Sequence, residues 1–400
     1  MSPAAPHPGH RPGTPGYRRL NVAMLMAGVA AFGMLYSTQP LLPRIGEAFD
    51  VSPAAAALTV SAATGALAVA VVVATSVAAR LGRARVMRAT MLAAVVVQLL
   101  STTMPTFGGL LALRVLLGLL LAGVVGVAMG HVGAEVHPDG LGRAMGLYVA
   151  GNSLGGVGGR LVTAAVADLG SWRVADAALG VCALAATIAF VVLLPPSVHG
   201  EDETGPRPHP GVRAWLRPQV LALVAVPFLL MGGFVAVYNY LTYRLVEQPF
   251  ELPSAVVGLV FLAYLAGTVS SALAGAAADR FGRPRTMALS LVVMAGGLAL
   301  TLPDHLAPVV AGLVLLTAGF FAAHAVASGW MPLVAGTLGG RASGAYVTSY
   351  YAGSSVLGAV VGLAWSDGGW PAVAAAVGAT VLATAVCVVV VRASGERPAA

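Results

Sequence analysis

Three polar side chains recur at multiples of four residues along one apolar segment of the chain: Tyr148, Asn152 and Arg160. Residues four apart lie on one face of a helix, so these side chains would form a stripe. Gly156 keeps the spacing without a side chain and leaves a space of about 12 Å between Asn152 and Arg160, because a helix rises about 1.5 Å per residue. Arg160 and Asn152 are therefore candidate substrate or coupling residues. The alternative for Arg160 is a side chain that extends to a polar boundary.

A sequence motif that precedes this stripe is repeated in the second half of the chain, where it precedes a related stripe. GRAMGLYV at residues 142–149 returns as GRASGAYV at residues 340–347, identical at six positions after 198 residues. The Gly-Arg pair at residues 82–83 returns at residues 282–283 after 200 residues. Similarity at a fixed period indicates a duplicated unit of about 200 residues. Two related stripes indicate a shared central cavity, and the members of the second stripe are Tyr346, Tyr350, Ser354 and Gly358.

The composition is that of a membrane protein. Hydrophobic residues make up 58% of the chain and charged residues 9%, with a mean hydropathy of +0.87, whereas soluble domains carry about 25% charged residues. The sequence has no P-loop, no cluster with metal-ligand spacing and no nucleophile–base pair. We therefore expect neither an enzyme nor a bound metal or cofactor.

Twelve segments are long and apolar enough to cross a bilayer, which takes about 20 residues. They divide evenly between the two halves: 20–42, 55–79, 86–104, 107–130, 143–165 and 174–195, then 219–242, 254–277, 285–302, 306–329, 342–364 and 370–391. Of the 22 arginines, 17 fall on the side of the termini, three on the opposite side and two within spans. Basic residues concentrate in cytoplasmic segments, so both termini are predicted to be cytoplasmic. The net charge of +7 follows from this topology and does not indicate nucleic-acid binding.

The predicted fold is an all-α membrane protein with twelve transmembrane helices in two parallel six-helix bundles. The halves are parallel because each has an even number of spans. The predicted boundaries are a disordered cytoplasmic tail at 1–19, an N-terminal bundle at 20–195, a cytoplasmic linker at 196–217, a C-terminal bundle at 218–391 and a cytoplasmic tail at 392–400.

Arg114, Arg160 and His324 are the ionisable side chains that we place well inside spans, and we place no Asp or Glu there. Arg114 is equally well interpreted as a functional residue and as one that snorkels or caps backbone carbonyls. His324 can titrate near neutral pH or be a hydrogen-bonded structural histidine. Gln39 and Asn239 are further candidates, preferred over nearby tyrosines because tyrosines near span ends typically anchor at the interface.

A motif of glycine and charged residues follows the eighth predicted span: Gly275, Asp279, Arg280, Gly282, Arg283 and Arg285. Asp279 can pair with the arginines and Gly282 permits a tight reversal, so the motif can latch one arrangement of the helices. Simple anchoring on the cytoplasmic side would need the arginines alone. In the first half, the equivalent residues are Thr75, Ala79, Arg80, Gly82, Arg83 and Arg85. Thr75 stands in place of the first glycine and Ala79 in place of the acid, so we expect the latch to be asymmetric.

This motif resembles the loop signature of the major facilitator superfamily, G-x-x-x-D-R-x-G-R-[RK]. Arg114-x-x-x-Gly118 is similar to the arginine-bearing fourth helix of that superfamily. Segment 151–160 resembles the antiporter signature G-x-x-x-G-P-x-x-G-G of its drug-efflux branches, with Gly156 for Pro and Arg160 for the last Gly. Segments 151–160 and 319–324 also look like the YnfM-type branch. The resemblance covers residues 20–391 and implies the major facilitator fold.

We therefore expect a secondary active transporter that exports a small neutral, amphipathic or anionic molecule by alternating access. Proton antiport is what the resemblance implies, with the proton gradient as the energy source. The alternative is a proton-coupled uptake symporter for a sugar or organic acid. His324 is the candidate proton carrier, with Glu135, Asp139 or Asp279 as fallbacks. The expected partners are a small-molecule substrate, protons and the lipid bilayer of a bacterial plasma membrane, and the expected state is a monomer.

Overall fold

The computed structural model describes residues 9–197, 212–338 and 340–395, and within these residues the chain is almost entirely α-helical. The first half contains α1 to α8: Pro15–Leu35, Leu42–Phe49, Pro53–Leu81, Arg83–Ser101, Phe107–Val125, Ala128–Glu135, Pro138–Ala167 and Trp172–Leu193. The second half contains α9 to α15: Val212–Trp215, Pro218–Val246, Ser254–Gly258, Tyr264–Phe281, Arg283–Leu300, Leu306–Ala335 and Gly340–Gly395. Short 3₁₀ turns lie at Gln39–Leu41, Leu259–Ala263 and Gly336–Leu338.

The order of these helices is consistent with the twelve predicted spans. Among the described residues, nine helical segments are long and apolar enough to cross a membrane. Helices α7 and α13 are also long, and α15 contains two helices that meet at a backbone break at Gly368 and Gly369. The predicted all-α membrane fold is confirmed.

The predicted disordered N-terminal tail is too long. Pro15 begins α1, the side chain of Thr14 accepts a hydrogen bond from the N–H of Tyr17, and His10 lies against Val136 in an isolated bridge. Residues 9–19 are therefore ordered, because the backbone of His10 bonds to the end of α6. At the other terminus α15 continues to Gly395. Residues 1–8, 198–211 and 396–400, which include most of the predicted linker, lie outside the described residues.

Close approach of backbones fixes the helix pairs within each half. A Cβ atom built at Gly155 would overlap the backbone of Val29 in α1, and one built at Gly151 would overlap that of Leu25. In the second half, a Cβ at Gly353 of α15 would overlap the backbone of Phe228 in α10. Small residues let membrane helices pack this closely. The predicted packing role of the glycine stripe in α7 is confirmed.

The two halves touch at one end of the molecule, which we call the distal end. It contains the segments around Gln39–Phe49, Ala167–Trp172 and Val246–Ser254, opposite the arginine-rich end with the Gly-Arg turns at 82–83 and 282–283. The hydroxyl of Tyr243 donates to the carbonyl of Leu42 at 2.9 Å. Among the described residues, the side-chain hydrogen bonds between the halves lie at or toward the distal end, so that end is closed.

An ionic contact seals the rim of the distal end. Arg44 Nη2 lies 2.7 Å from Asp168 Oδ1, and the N–H groups of Ser254 and Ala255 donate to the same carboxylate at 3.2 and 2.8 Å. Burial raises the pKa of Asp168, but the N–H donors of Ala255 and Ser254, the Ser254 hydroxyl and Arg44 outweigh that effect and hold the pKa below its usual value. This contact therefore stays ionised at neutral pH and joins α2 and α7 of one half to α11 of the other.

The glycine packing gives a test of the fold. We expect Gly155→Ala to lower the thermal unfolding temperature, because the added methyl group must push α1 and α7 apart at a cost of about 1–3 kcal/mol. Gly158→Ala is the matched control, since a Cβ atom there meets no atom within 4 Å and alanine favours a helix by about 0.5–1 kcal/mol over glycine. Unfolding temperatures in detergent measure both variants, and equal effects would contradict the packing.

Candidate functional site

A chain of three buried side chains joins the two halves at the centre of the contact. Arg160 Nε of α7 donates to Gln39 Oε1 at 2.7 Å, and Gln39 Nε2 donates to Asn239 Oδ1 of α10 at 2.7 Å. We call Arg160, Gln39 and Asn239 the polar bridge. The structure thus brings together three of the residues predicted from the sequence, and Arg160 is 2% exposed. The snorkelling interpretation of Arg160 is wrong, because its guanidinium points inward to Gln39.

The bridge follows the repeat of the sequence. Gln39 and Asn239 are 200 residues apart, and their partners, residues 160 and 358, are 198 apart. Gln39 bonds to Arg160, and Asn239 Nδ2 donates to the carbonyl of Gly358 at 3.2 Å. Equivalent helices of the two halves therefore meet at this point, with an arginine in one half where the other has a glycine.

The space predicted at Gly156 is not open. Arg160 Nη1 donates to the Gly156 carbonyl at 2.7 Å, and a Cβ atom built at Gly156 would lie 3.3 Å from that nitrogen. The guanidinium itself fills the gap in the stripe. Asn152 lies beside Tyr148 and against Gly28 of α1, so it is separate from the polar bridge.

Arg114 holds the end of α1, and so fixes the start of the turn that carries Gln39. The first predicted span is broken, because α1 ends at Leu35 and a short turn leads to the 3₁₀ turn at Gln39. Arg114 is 0% exposed and donates to the carbonyls of Leu35, Met34 and Thr59 at 2.6, 3.1 and 2.8 Å. The bonds to Met34 and Leu35 supply donors to carbonyl groups at the C-terminal end of α1, and the bond to Thr59 ties that end to α3. Of the predicted alternatives for Arg114, capping of backbone carbonyls is confirmed and snorkelling is wrong.

Aromatic rings surround the guanidinium of Arg160. Its Cζ lies 4.4 Å from the ring centre of Tyr36, 5.0 Å from that of Tyr264 and 5.1 Å from that of Phe261. Cations are attracted to aromatic faces at such distances. Among the described residues no carboxylate forms an ion pair with Arg160. Its positive charge is held by rings and by neutral hydrogen-bond acceptors.

The same rings lead to the second predicted group, His324 and Tyr350. Phe234 contacts Tyr264 at a ring-centre distance of 5.4 Å and stacks on Phe320 at 3.9 Å, and Phe320 is parallel to His324 at 6.0 Å. Tyr350 lies 4.9 Å from His324. His324 Nδ1 and the hydroxyl of Tyr346 share a hydrogen bond of 2.9 Å. We call this series of rings from Tyr36 to Tyr350 the aromatic cluster, and its members are Tyr36, Phe234, Tyr238, Phe261, Tyr264, Phe320, Phe321, His324, Tyr346 and Tyr350.

The predicted gating motifs lie at the arginine-rich end, far from the polar bridge along their helices. Gly82 and Gly282 have φ values of +91° and +87°, which favour glycine, and each makes a tight turn immediately before Arg83 or Arg283. Asp279 and Arg280 are exposed in the last turn of α12, and Asp279 forms no ion pair among the described residues. The reversal at the glycines is confirmed, whereas the latch stays a prediction.

The sequence-based statement that no carboxylate lies inside a span is wrong. Asp176 lies near the start of α8, within the predicted span 174–195, and is 0% exposed. Because Asp176 lies near the end of the predicted span, the sequence was equally consistent with a carboxylate at the polar surface of the membrane. Arg244, predicted in a loop, is buried in the last turn of α10, where it donates to carbonyls at 301–303 and pairs with Asp304 at 2.8 Å.

Long apolar helices in two repeated halves, which meet around a buried cation and an aromatic cluster, define a membrane transport protein of the duplicated-bundle class. The chain belongs to the Major Facilitator Superfamily, whose model matches residues 24–261. It is therefore a multi-pass membrane transporter of that superfamily.

Curated relatives cover nearly the whole chain. The inner membrane transport protein YnfM of Escherichia coli is 41% identical over 367 residues, which is 91% of this chain and 88% of that protein. The uncharacterized MFS-type transporter YybF of Bacillus subtilis is 38% identical, over 90% of each chain. A solved structure of a bacterial homologue of the human lysosomal transporter Spinster, inward-facing and occupied, matches with a TM-score of 0.74 at 14% identity over 96% of each chain. At that identity the structural match shows the fold alone.

The polar bridge predicts the effect of one substitution on the distal end. Gln39→Ala removes the hydrogen bond to Asn239, which crosses between the halves and stabilises the closed state by about 0.5–1.5 kcal/mol. We expect the ratio of open to closed distal ends to rise about two- to tenfold. Spin labels at Thr103 and His305, exposed on opposite flanks of the distal end, measure that ratio in lipid nanodiscs after the free cysteines Cys182 and Cys387 are replaced by serine.

Asn152→Ala is the matched control, because Asn152 lies on the same helix as Arg160 and outside the bridge. The control should keep the distance distribution of the parent protein. An unchanged distribution in Gln39→Ala would contradict the role of the bridge.

Proposed function

We propose that the protein exports a small neutral, amphipathic or anionic organic molecule by alternating access, coupled to proton antiport. The substrate site lies between the polar bridge and the aromatic cluster. The arginine-rich end faces the cytoplasm, because basic residues concentrate on that side of membrane proteins. The observation that carries the proposal is the environment of Arg160: a buried guanidinium with aromatic faces on several sides and no paired carboxylate among the described residues.

This environment favours some substrate classes over others. Flat apolar groups can stack on the rings, and an anionic or carbonyl oxygen can accept from the guanidinium. A permanent cation would be repelled by Arg160 and would find no carboxylate among the described residues of the bridge and cluster. Asp176 does not supply one, because it faces Arg114 in the interior of the N-terminal half.

The polar bridge gives a physical link between substrate and conformation. Gln39 accepts from Arg160 and donates to Asn239, so the two bonds together hold its amide in the orientation that reaches the other half. A substrate oxygen that binds Arg160 replaces Gln39 as the acceptor, frees the amide to turn and so weakens the contact between the halves. Binding at this site then favours opening of the distal end, which is the step that releases an exported substrate.

The substrate class can be tested with the purified protein in detergent and in liposomes. A thermal-shift panel of neutral, anionic and permanently cationic aromatic compounds identifies ligands, and counterflow in liposomes shows transport of those that bind. We expect neutral and anionic compounds to stabilise the protein, and Arg160→Ala to reduce their affinity at least tenfold.

Arg173→Ala is the matched control, because Arg173 also lies over an aromatic ring, 4.5 Å from the centre of Trp172, but outside the proposed site. It should keep the parent affinities. Saturable, high-affinity transport of a permanent cation by the parent protein would overturn the proposed substrate class.

The direction of coupling is measured in the same liposomes. If the protein is an antiporter, an acidic interior drives substrate accumulation, because each proton that leaves brings substrate in. An acidic exterior would drive accumulation by a symporter, which is the result that would contradict export by antiport. Accumulation under neither gradient would contradict proton coupling itself.

A further inference from the structure

A second buried polar cluster lies in the N-terminal half, near the distal end and apart from the aromatic cluster. Asp176 of α8 is at its centre, and Ser101 Oγ of α4 donates to Asp176 Oδ2 at 3.4 Å. Arg114 Nη1 of α5 donates to the hydroxyl of Ser37, in the turn after α1, at 3.4 Å. Ser37, Arg114 and Gln98 of α4 face the carboxylate. We call these five residues the Asp176 cluster.

Arg114 is the charged group that faces Asp176 from the helices packed around it. The charged residues nearest in sequence or on neighbouring helices are engaged elsewhere. Arg173 of the same helix donates to the carbonyl of Met104 at 2.9 Å, and Arg160 and Asp168 of α7 bond to Gln39 and Arg44. Arg114 is therefore the charged side chain that acts most strongly on Asp176 among the described residues.

Among the described residues of the second half, the positions equivalent to Asp176, Gln98 and Arg114 are apolar. With the repeat offsets of 198 and 200 residues, Asp176 corresponds to Ala374 and Gln98 to Leu298. Arg114 corresponds to the apolar residues 312–314. Ala374 and Leu298 are buried, so the architecture is complete with apolar side chains at these places. Buried charges are costly and their replacement by apolar residues often stabilises a protein. The fold therefore does not require these charged and polar residues, which indicates that the cluster has a functional role.

The cluster is connected to the polar bridge through the end of α1. Arg114 donates to the carbonyls of Met34 and Leu35, and Gln39 follows four residues after Leu35. While Asp176 is ionised, it balances the charge of Arg114 and favours the position of α1 that places Gln39 in the bridge. When Asp176 takes a proton, Arg114 becomes a buried cation without a counter-charge, which is strongly unfavourable.

We propose that Asp176 is a proton-binding site, and that its protonation opens the distal end by destabilising the contact of Arg114 with the end of α1. The carboxylate takes one proton from the solution on the distal side, one O–H bond forms, and the charge of the group changes from −1 to zero. Opening then exposes Arg114 to water. Loss of the proton restores the balance of charge and closes the distal end.

In this scheme the proton is taken up and lost on the distal side, so the site switches the distal end and does not itself carry a proton across the membrane. The conformational effect of the proton does not depend on a substrate, so it can be measured with the proton alone. The spin labels at Thr103 and His305, in the background without cysteine, report the distal end in nanodiscs of phosphatidylethanolamine and phosphatidylglycerol between pH 5 and pH 9.

We expect the ratio of open to closed distal ends in the parent protein to rise at least fivefold from pH 9 to pH 5. Asp176→Asn carries a neutral group of the same shape and should stay mostly open, with less than a twofold change over that range. Asp176→Glu keeps the carboxylate and should retain a pH response with a shifted midpoint, which separates titration from loss of packing.

Glu135→Gln is the matched control, because it removes another buried carboxylate of the N-terminal half, outside the Asp176 cluster. It should keep the pH response of the parent protein. The proposal is overturned if the parent shows no pH response, if Asp176→Asn keeps it, or if the control variant abolishes it. Should Asp176→Asn fail to fold, an unshifted midpoint in Asp176→Glu would overturn it equally.

Failure of the proposed transport function gives a different result. In that case the pH response of the distal end persists, whereas liposomes show no exchange of substrate for protons. Loss of the pH response with intact proton-driven exchange would instead place the proton site elsewhere.

Discussion

The structure depends on how it holds arginine side chains inside an apolar bundle. Lipid tails are as apolar as the helix surfaces, so hydrophobic burial contributes little to holding the two halves together within the membrane, and close packing and hydrogen bonds do so instead. Arg114 donates hydrogen bonds to backbone carbonyls at the end of α1 and in α3. Arg160 donates to Gln39 and to the carbonyl of Gly156, and its guanidinium lies against aromatic faces. The break in α1 and the contact between the halves both follow from these bonds.

The asymmetry between the halves is as informative as the repeat. Both halves use glycine to bring α7 onto α1 and α15 onto α10, and both turn at glycines of positive φ. The charged groups of the interior are instead concentrated in the first half, while the second half contributes aromatic rings and His324. A symmetric scaffold thus carries one half with several buried charges and one with most of the clustered aromatic rings.

Much of the fold was predictable because it depends on local patterns. The repeat, the apolar segments and the four-residue spacing of glycine predicted the duplicated helical bundles and the packing of α7. The polar bridge was predicted only as separate candidates, because Gln39 and Asn239 are 200 residues apart in the chain and their bond depends on tertiary structure. Asp176 was missed because it lies only two residues inside the predicted boundary at 174, where a carboxylate can lie on either side of the membrane surface. In the aromatic cluster, pairs such as Tyr346 and Tyr350 show the four-residue spacing of a helix face, but the meeting of rings from several helices of both halves depends on tertiary structure.

The central claim is that the polar bridge holds the distal end closed. A double-mutant cycle with Gln39→Ala, Asn239→Ala and the combined variant tests it most directly, with the open-to-closed ratio of the distal end as the measured quantity. If the two amides stabilise the closed state through their mutual hydrogen bond, the cycle gives a coupling energy of about 0.5–3 kcal/mol, as for other residues in direct contact. Additive effects of the two substitutions, with no coupling, would contradict the account.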